Sequence, residues 1–236
     1  VYAQAGAYDV HVHAGIAYVS QDPGGLVVYD VHDPFHAVQV GGCDWPGWHY
    51  YSRLCITGNT AYVVEETTGL HVFDIADPAK PVSAGGVAGV FLDVAAEGHY
   101  LYTAAHTNHL AIFDVATPAK PTPAGVASTG VVYGVAVVNH IAYLASATAG
   151  LEIFDVGDPV HPIRLGVCAS YAPAPFARSV AVDGKFAFLV DGNNPGLQII
   201  DVSIPANPVF VGAYHSGLLY DSIHSISIAG NLAYIG

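Results

Sequence analysis

The 236-residue chain reads as an all-β protein assembled from repeated four-stranded antiparallel units, and three observations carry that reading. One string recurs, as GLVVYDVHDP from Gly25, GLHVFDIADPAKP from Gly69, HLAIFDVATPAKP from His109, GLEIFDVGDPVHP from Gly150 and GLQIIDVSIPANP from Gly196. Its aspartates, Asp30, Asp74, Asp114, Asp155 and Asp201, stand 44, 40, 41 and 46 residues apart, which is the period of a repeat architecture. A second string precedes each copy and occurs once more near the end, as in LCITGNTAYVV from Leu54 and ISIAGNLAYIG from Ile226. It alternates apolar and polar residues around a two-residue turn, as a β-hairpin does. The helical period of 3.6 appears nowhere in the chain.

The elements follow in order within each unit. In the second unit the expected strands are 52–57, 60–64, 69–75 and 81–85. Strands one and two meet at turn pairs that tolerate positive φ, read as Ala14-Gly15, Gly58-Asn59, Asp183-Gly184 and Gly230-Asn231. Strand three ends at the Asp-Pro steps Asp33-Pro34, Asp77-Pro78 and Asp158-Pro159. There proline removes a backbone donor and the aspartate can cap the turn, so these carboxylates read as structural. Four short antiparallel strands per 40 to 45 residues describe one blade of a β-propeller, and counting predicts six blades. The last blade is incomplete or closed by the N-terminal strand at residues 1–5, because six hairpins precede only five GLxVFD strings. Either that blade has three strands or residues 1–236, read as a single propeller domain, belong to a longer chain; the second is preferred.

GLHVFDIADPAKP and GLEIFDVGDPVHP, preceded by GNTAYVV and NHIAYLA, resemble the LVIVD repeat of bacterial and archaeal secreted or cell-surface β-propellers. The resemblance covers nearly the whole chain. It implies an extracytoplasmic setting and a binding or scaffold role, with no catalytic motif to carry over. The third unit departs from the pattern, with Asn108-His109 where others have Gly and Thr117 where others have Asp.

Composition sets bounds on function. Apolar residues make up 53% of the chain, yet Gly, Asp or Pro interrupts every strand-sized segment, so the apolar excess is core and not a membrane span. A net charge of -13 argues against a nucleic-acid partner. Of three cysteines, Cys43 and Cys55 are close enough in sequence to bridge, whereas lone thiols are the plainer reading. No methionine occurs, so Val1 is not read as a translation start. VYAQAG is read as strand in the repeat register, in preference to a leftover signal peptide.

Three of the five connections between the fourth strand of one unit and the first of the next, 41–53, 167–179 and 213–225, are long and aromatic. They are expected on one face with the residues that precede each inner strand: Tyr8-Asp9, Ser52-Arg53, Leu92-Asp93, Tyr133-Gly134, Arg178-Ser179 and His224-Ser225. Two readings stand for that set. Asp9, Arg53, Asp93 and Arg178 could pair as ions tying blades together. Alternatively Trp45, Trp48, Tyr51, Asp93, Tyr133, Arg178 and His224 form a site for a glycan, small ligand or protein partner, through stacking and bidentate hydrogen bonds. A hydrolase or lyase using Asp93, His224 and Arg178 is the enzymatic alternative. A structural subunit of a larger surface assembly is a third.

No cofactor is predicted. His11 with His13, and His106 with His109, each offer two metal ligands but no third at convincing spacing, and no HExxH or CxxC string occurs. DGNNPG from Asp191 resembles a calcium loop in composition alone. Carboxylates at Asp9, Asp93, Glu65, Glu66 and Asp221 form a weak candidate for an acid-base pair, and no nucleophile elbow or phosphate loop is present.

Overall fold

The computed structural model describes residues 6–22, 25–44, 52–107, 109–169, 176–192, 196–215 and 224–236. All regular structure among them is β. The first repeat comprises β1 (Gly6–His13), β2 (Ile16–Asp22), β3 (Gly25–Asp30) and β4 (Val38–Cys43). The second comprises β5 (Arg53–Thr57), β6 (Thr60–Glu65), β7 (Gly69–Asp74) and β8 (Val82–Val87). The third comprises β9 (Phe91–Glu97), β10 (Tyr100–Ala105), β11 (His109–Asp114) and β12 (Thr122–Ser128). The fourth comprises β13 (Val132–Val138), β14 (Ile141–Ser146), β15 (Gly150–Asp155) and β16 (Ile163–Cys168). The fifth comprises β17 (Ala177–Asp183), β18 (Phe186–Asp191), β19 (Gly196–Asp201) and β20 (Val209–His215), followed by a hairpin of β21 (Ile226–Ala229) and β22 (Leu232–Ile235).

Each repeat is one four-stranded sheet in sequential order, and β21-β22 is a two-stranded sheet. The expected element order is therefore observed, with strand ends shifted by one or two residues. The reading of residues 1–5 as a strand falls outside the described residues. The chain divides into two compact units, residues 1–101 with 114–122 and residues 102–113 with 123–236.

Alternation explains the packing. In the third strand of each repeat, the second and fourth residues share a face, and Leu26, Val28, Leu70, Val72, Leu151 and Ile153 are fully buried there. In unit one, Leu26 and Val28 join Leu54, Val63 and Phe73 in a cluster linking the first two repeats. In unit two, Leu151 and Ile153 join Ala177, Leu189 and Ile200 in the same way between the fourth and fifth. A four-stranded sheet buries one face on the next sheet, which is why the repeat is not stable alone.

The hairpin turns fall into two types by the sign of φ. Ala14-Gly15 and Asn139-His140 are positive at both positions, at 50° and 77° and at 53° and 62°, the signature of type I′. Gly58, Gly184 and Gly230, each at 56°, are positive at the first position only, as in type II′. The register Asp183↔Phe186 makes Gly184-Lys185 the turn of the fifth repeat. The sequence reading of Asp183-Gly184 is thus one residue early, because the glycine takes the first central position. Ala14 carries a Cβ in the left-handed region, which costs about 1 kcal/mol or more. Ala14→Asn, restoring the Asn-Gly pair that this turn favours, is expected to raise unfolding free energy by about 0.5–1 kcal/mol in urea titration.

The aspartates of the recurring string are turn elements. Asp30, Asp74, Asp114, Asp155 and Asp201 each accept from the backbone N–H two residues on, at 2.7–3.0 Å. Asp33, Asp77 and Asp158 repeat the bond to Phe35, Ala79 and Val160 at 3.0–3.1 Å, and a β-turn closes from His36, Lys80 and His161 onto their carbonyls. Thr117 and Ile204, which replace aspartate, keep the turn through Lys120 and Asn207 N–H. The residue after each first aspartate, such as Ile75, donates to the second residue of the hairpin turn, here Asn59 O at 2.9 Å. Strand, turn and neighbouring hairpin are thereby locked together.

These bonds have a pH signature. The N–H of His32 holds Asp30 below its ordinary 3.8, the His161 ring does so for Asp158, and the Ser203 hydroxyl for Asp201. A carboxylate depressed in the folded state stabilises fully above its unfolded value, and that stability is lost as pH falls through the folded value. The thermal midpoint is therefore expected to drop below pH 3.8, with a smaller drop in Asp30→Asn.

Candidate functional site

The inner strands β1, β13 and β17 each carry a bulge, at Ala7/Asp9, Val132/Gly134 and Ala177/Ser179. The extra residues are Tyr8, Tyr133 and Arg178. A bulge leaves one residue unpaired and re-aims its side chain, so three of the six positions singled out before inner strands are set apart by backbone geometry, whereas β5 pairs with β6 from Arg53 onward without a shift. Close packing supports the bulge in unit two, since a Cβ on Gly134 would stand 2.8 Å from Arg178 O.

Unit two gathers Tyr133, Phe176, Arg178 and His224. The rings of Tyr133 and Phe176 lie 4.8 Å apart at 49°. The Arg178 guanidinium carbon sits 4.9 Å from the Phe176 centroid and 5.9 Å from that of Tyr133, within cation–π range. Arg178 Nη1 donates to His224 Nδ1 at 2.6 Å, so that nitrogen accepts and the ring proton is on Nε2. Arg178 Nε is buried without a hydrogen-bond partner among the described residues. It stands against Gly192, where a Cβ would come within 2.5 Å of it. Asp191 fixes this wall by accepting from Phe176 N at 3.0 Å, while Gly192 N donates to Phe176 O at 2.9 Å. No carboxylate pairs with Arg178 among the described residues.

Unit one holds Asp9, Arg53, Cys55 and Asp93. Asp9 accepts from Val10 N at 2.9 Å and from Leu54 N at 2.8 Å, and Arg53 Nη1 donates to Tyr8 O at 2.9 Å. Burial pushes the Asp9 carboxyl above its ordinary value, against the opposing charge of Arg53 and the Leu54 and Val10 N–H groups. Asp93 repeats the local bond to Val94 N at 2.9 Å. Burial, with Asp93 and Asp9 nearby, raises the Cys55 thiol far above its ordinary value, which favours the protonated form. The link between the first two repeats here runs through Leu54 N on Asp9 and Arg53 Nη1 on Tyr8 O.

Other candidates resolve into structure. Cys43, Cys55 and Cys168 are all free thiols, so the Cys43–Cys55 bridge is not made. Glu65 caps the loop between β6 and β7, accepting from Thr67 N at 3.1 Å and from Thr68 N and Oγ1 at 2.7 Å each. Burial works against its charge, but the Thr68 and Thr67 bonds win and hold it below its ordinary value. His109 is engaged by Thr107 at 3.0 Å. No group of three His, Cys, Asp or Glu side chains is placed to hold a metal among the described residues. Trp45, Trp48 and Tyr51 lie outside the described residues, as do Asp221 and the middle of DGNNPG.

Two groups escaped the sequence reading. Phe176 was visible as an aromatic two residues before the bulged Arg178. Glu152 was visible as a charge inside GLEIFD, where other repeats have Val27, His71, Ala111 and Gln198. It is 1% exposed, accepts from Ser146 Oγ and from Gly130 N at 3.1 Å, and pairs with Arg164 Nη2 at 2.9 Å. It ties the loop at Gly130 to the fourth sheet.

No helix is long and apolar enough to cross a membrane among the described residues. Comparison with curated proteins finds no match. Among solved structures the chain is similar to a functionally unknown protein from Desulfotomaculum acetoxidans, at TM-score 0.77 and 12% identity over 94% of this chain and 74% of the other. It is similar to the Cps50 (Swd1) β-propeller domain of Myceliophteria thermophila, at TM-score 0.73 and 11% identity over 93% and 75%. A third likeness is to the periplasmic gluconolactonase PpgL of Pseudomonas aeruginosa, at TM-score 0.73 and 16% identity over 89% and 72%. At these identities the likeness is one of fold, a β-propeller. The LVIVD repeat matches residues 5–44, 50–89, 85–129, 129–170 and 176–216, and with five copies spanning nearly its whole length the chain belongs to the LVIVD-repeat family.

Proposed function

We propose that this chain is a non-enzymatic extracytoplasmic binding propeller of six blades, and that the Tyr133, Phe176, Arg178 and His224 cluster takes a ligand bearing a carboxylate, such as an acidic glycan. One observation carries the reading. A half-buried guanidinium is stacked on two aromatic rings and hydrogen-bonded to a histidine nitrogen, with no carboxylate partner among the described residues. A planar donor fork held in this way suits an incoming carboxylate, while the adjacent ring suits a sugar or planar group. The chain as a whole is acidic, so the local cation favours a small anion over an extended polyanion. The extracytoplasmic setting rests on the family resemblance, and the six-blade count rests on the sixth hairpin. The bond from Arg178 occupies the His224 lone pair at Nδ1, which counts against an acid-base role at that nitrogen.

Calorimetric titration with a uronic-acid oligosaccharide tests the reading. Wild-type protein is expected to bind it, and Arg178→Ala to bind about thirtyfold less tightly or worse, the loss of one hydrogen-bonded charge. Arg178→Lys should not rescue, since an ammonium cannot reproduce the fork. Unchanged affinity in Arg178→Ala would sink the assignment.

A further inference from the structure

Arg178 and His224 meet through a bond that only one protonation state allows. A guanidinium carries donors and no acceptor. The 2.6 Å contact from Arg178 Nη1 therefore requires an unprotonated Nδ1 on His224. A proton added at that nitrogen would set N–H against N–H and one cation against another, and the contact would be lost.

The groups around the pair leave that conflict in place. Tyr133 of β13 offers its ring face to the guanidinium. Asp191, at the end of β18 and 1% exposed, has its carboxylate on Phe176 N at 3.0 Å. Glu152, the other buried glutamate or aspartate of unit two, is turned to Ser146, Gly130 and Arg164. On the connection that leads to His224 stand His215, at the end of β20, and Asp221, outside the described residues. His224 is itself half-buried, so water screens the two cations only in part.

We infer that His224 is a proton-operated latch on this site: unprotonated it holds Arg178, and protonated it releases the guanidinium and becomes a second donor to the carboxylate of the ligand. The inference rests on the carboxylate-binding reading above. An anion seated between guanidinium and imidazolium stabilises the charged ring, so binding takes up a proton at His224. The sign follows from linkage. Because the bound ligand raises the affinity of His224 for its proton, the proton raises the affinity for the ligand by the same factor. Binding therefore tightens as pH falls through the titration of His224 in the free protein, and the gain ends where the carboxyl of the ligand itself protonates. An acidic glycan is thus gripped more tightly in acid than at neutral pH.

Calorimetric titration with the uronic-acid oligosaccharide, in steps between about pH 5 and about pH 8 and in buffers of different ionisation heat, reads affinity and proton exchange together. Wild-type protein is expected to bind about tenfold or more tightly at the acid end, the effect of one charge-assisted hydrogen bond, with uptake of up to about one proton per ligand within the range. His224→Asn, whose amide does not titrate, is expected to show a flat profile and no uptake. In the free protein, the histidine resonance that His224→Asn removes from the NMR spectrum should titrate at higher pH in Arg178→Ala, where the opposing guanidinium is gone. Binding without proton uptake, a flat wild-type profile, or a His224 titration unmoved in Arg178→Ala would each overturn the latch and leave the binding reading standing. Absence of binding throughout the pH range would overturn the two together.

Discussion

Gly125→Ala is expected to lower the unfolding free energy by about 3 kcal/mol, the upper range for overpacking a tight contact, while Gly212→Ala changes it by less than about 0.5 kcal/mol. Both glycines hold the same register position in the fourth strand of their repeats. They differ in what faces them. The added methyl at Gly125 meets Pro159 O and lies 3.0 Å from Pro159 C and 3.2 Å from Val160 Cα. That backbone cannot yield, because Asp158 fixes the turn through Val160 N and His161 N, both at 3.1 Å. At Gly212 the same methyl has no neighbour within 4 Å among the described residues. Urea unfolding of the two variants side by side measures the difference. Equal effects would show that the glycine serves strand geometry and not the turn seated on it.

Glu152→Ala is expected to cost about 3 kcal/mol by the same measurement, because it strands several buried or partly buried donors at once. Ser146 Oγ, Gly130 N and Arg164 Nη2 all donate to this one carboxylate. Glu152→Gln keeps the shape and one acceptor oxygen, so it is expected to recover about half of the loss. Arg164→Ala is expected to cost less than either, since the Arg164 side chain is half exposed and water can replace it. If Glu152→Ala proved neutral in stability but abolished ligand binding, the carboxylate would belong to a site and not to the sheet.

The contrast between these residues shows where the sequence was legible. Hairpins, third strands and Asp-Pro turns are local, so periodicity and turn chemistry revealed them. Asp30 and Asp33 bond within three residues of themselves, and their role as caps was readable before any fold was known. The Gly184-Lys185 turn was misplaced by one residue because Asp183 and Gly184 both tolerate turn geometry, and only pairing with Phe186 decides between them. Arg178, Tyr133 and His224 could be nominated from their place before inner strands. Their convergence on Phe176 could not be, because it joins residues from two repeats and the terminal hairpin, two of them placed by bulges that leave no sequence mark. Glu152 was hidden for a different reason. A charge in an apolar strand is readable, but the serine and arginine that satisfy it lie across the sheet at Ser146 and Arg164.

The binding reading stands most directly on where a carboxylate goes. Crystals of the full chain grown with glucuronate would answer it. The expected map shows the carboxylate on the Arg178 guanidinium and the sugar ring against Tyr133, with the His224 contact kept or exchanged for the ligand. Glucuronate bound elsewhere with Arg178 untouched, or an ion held there by three protein ligands, would contradict the account and return the cluster to acid-base or metal chemistry.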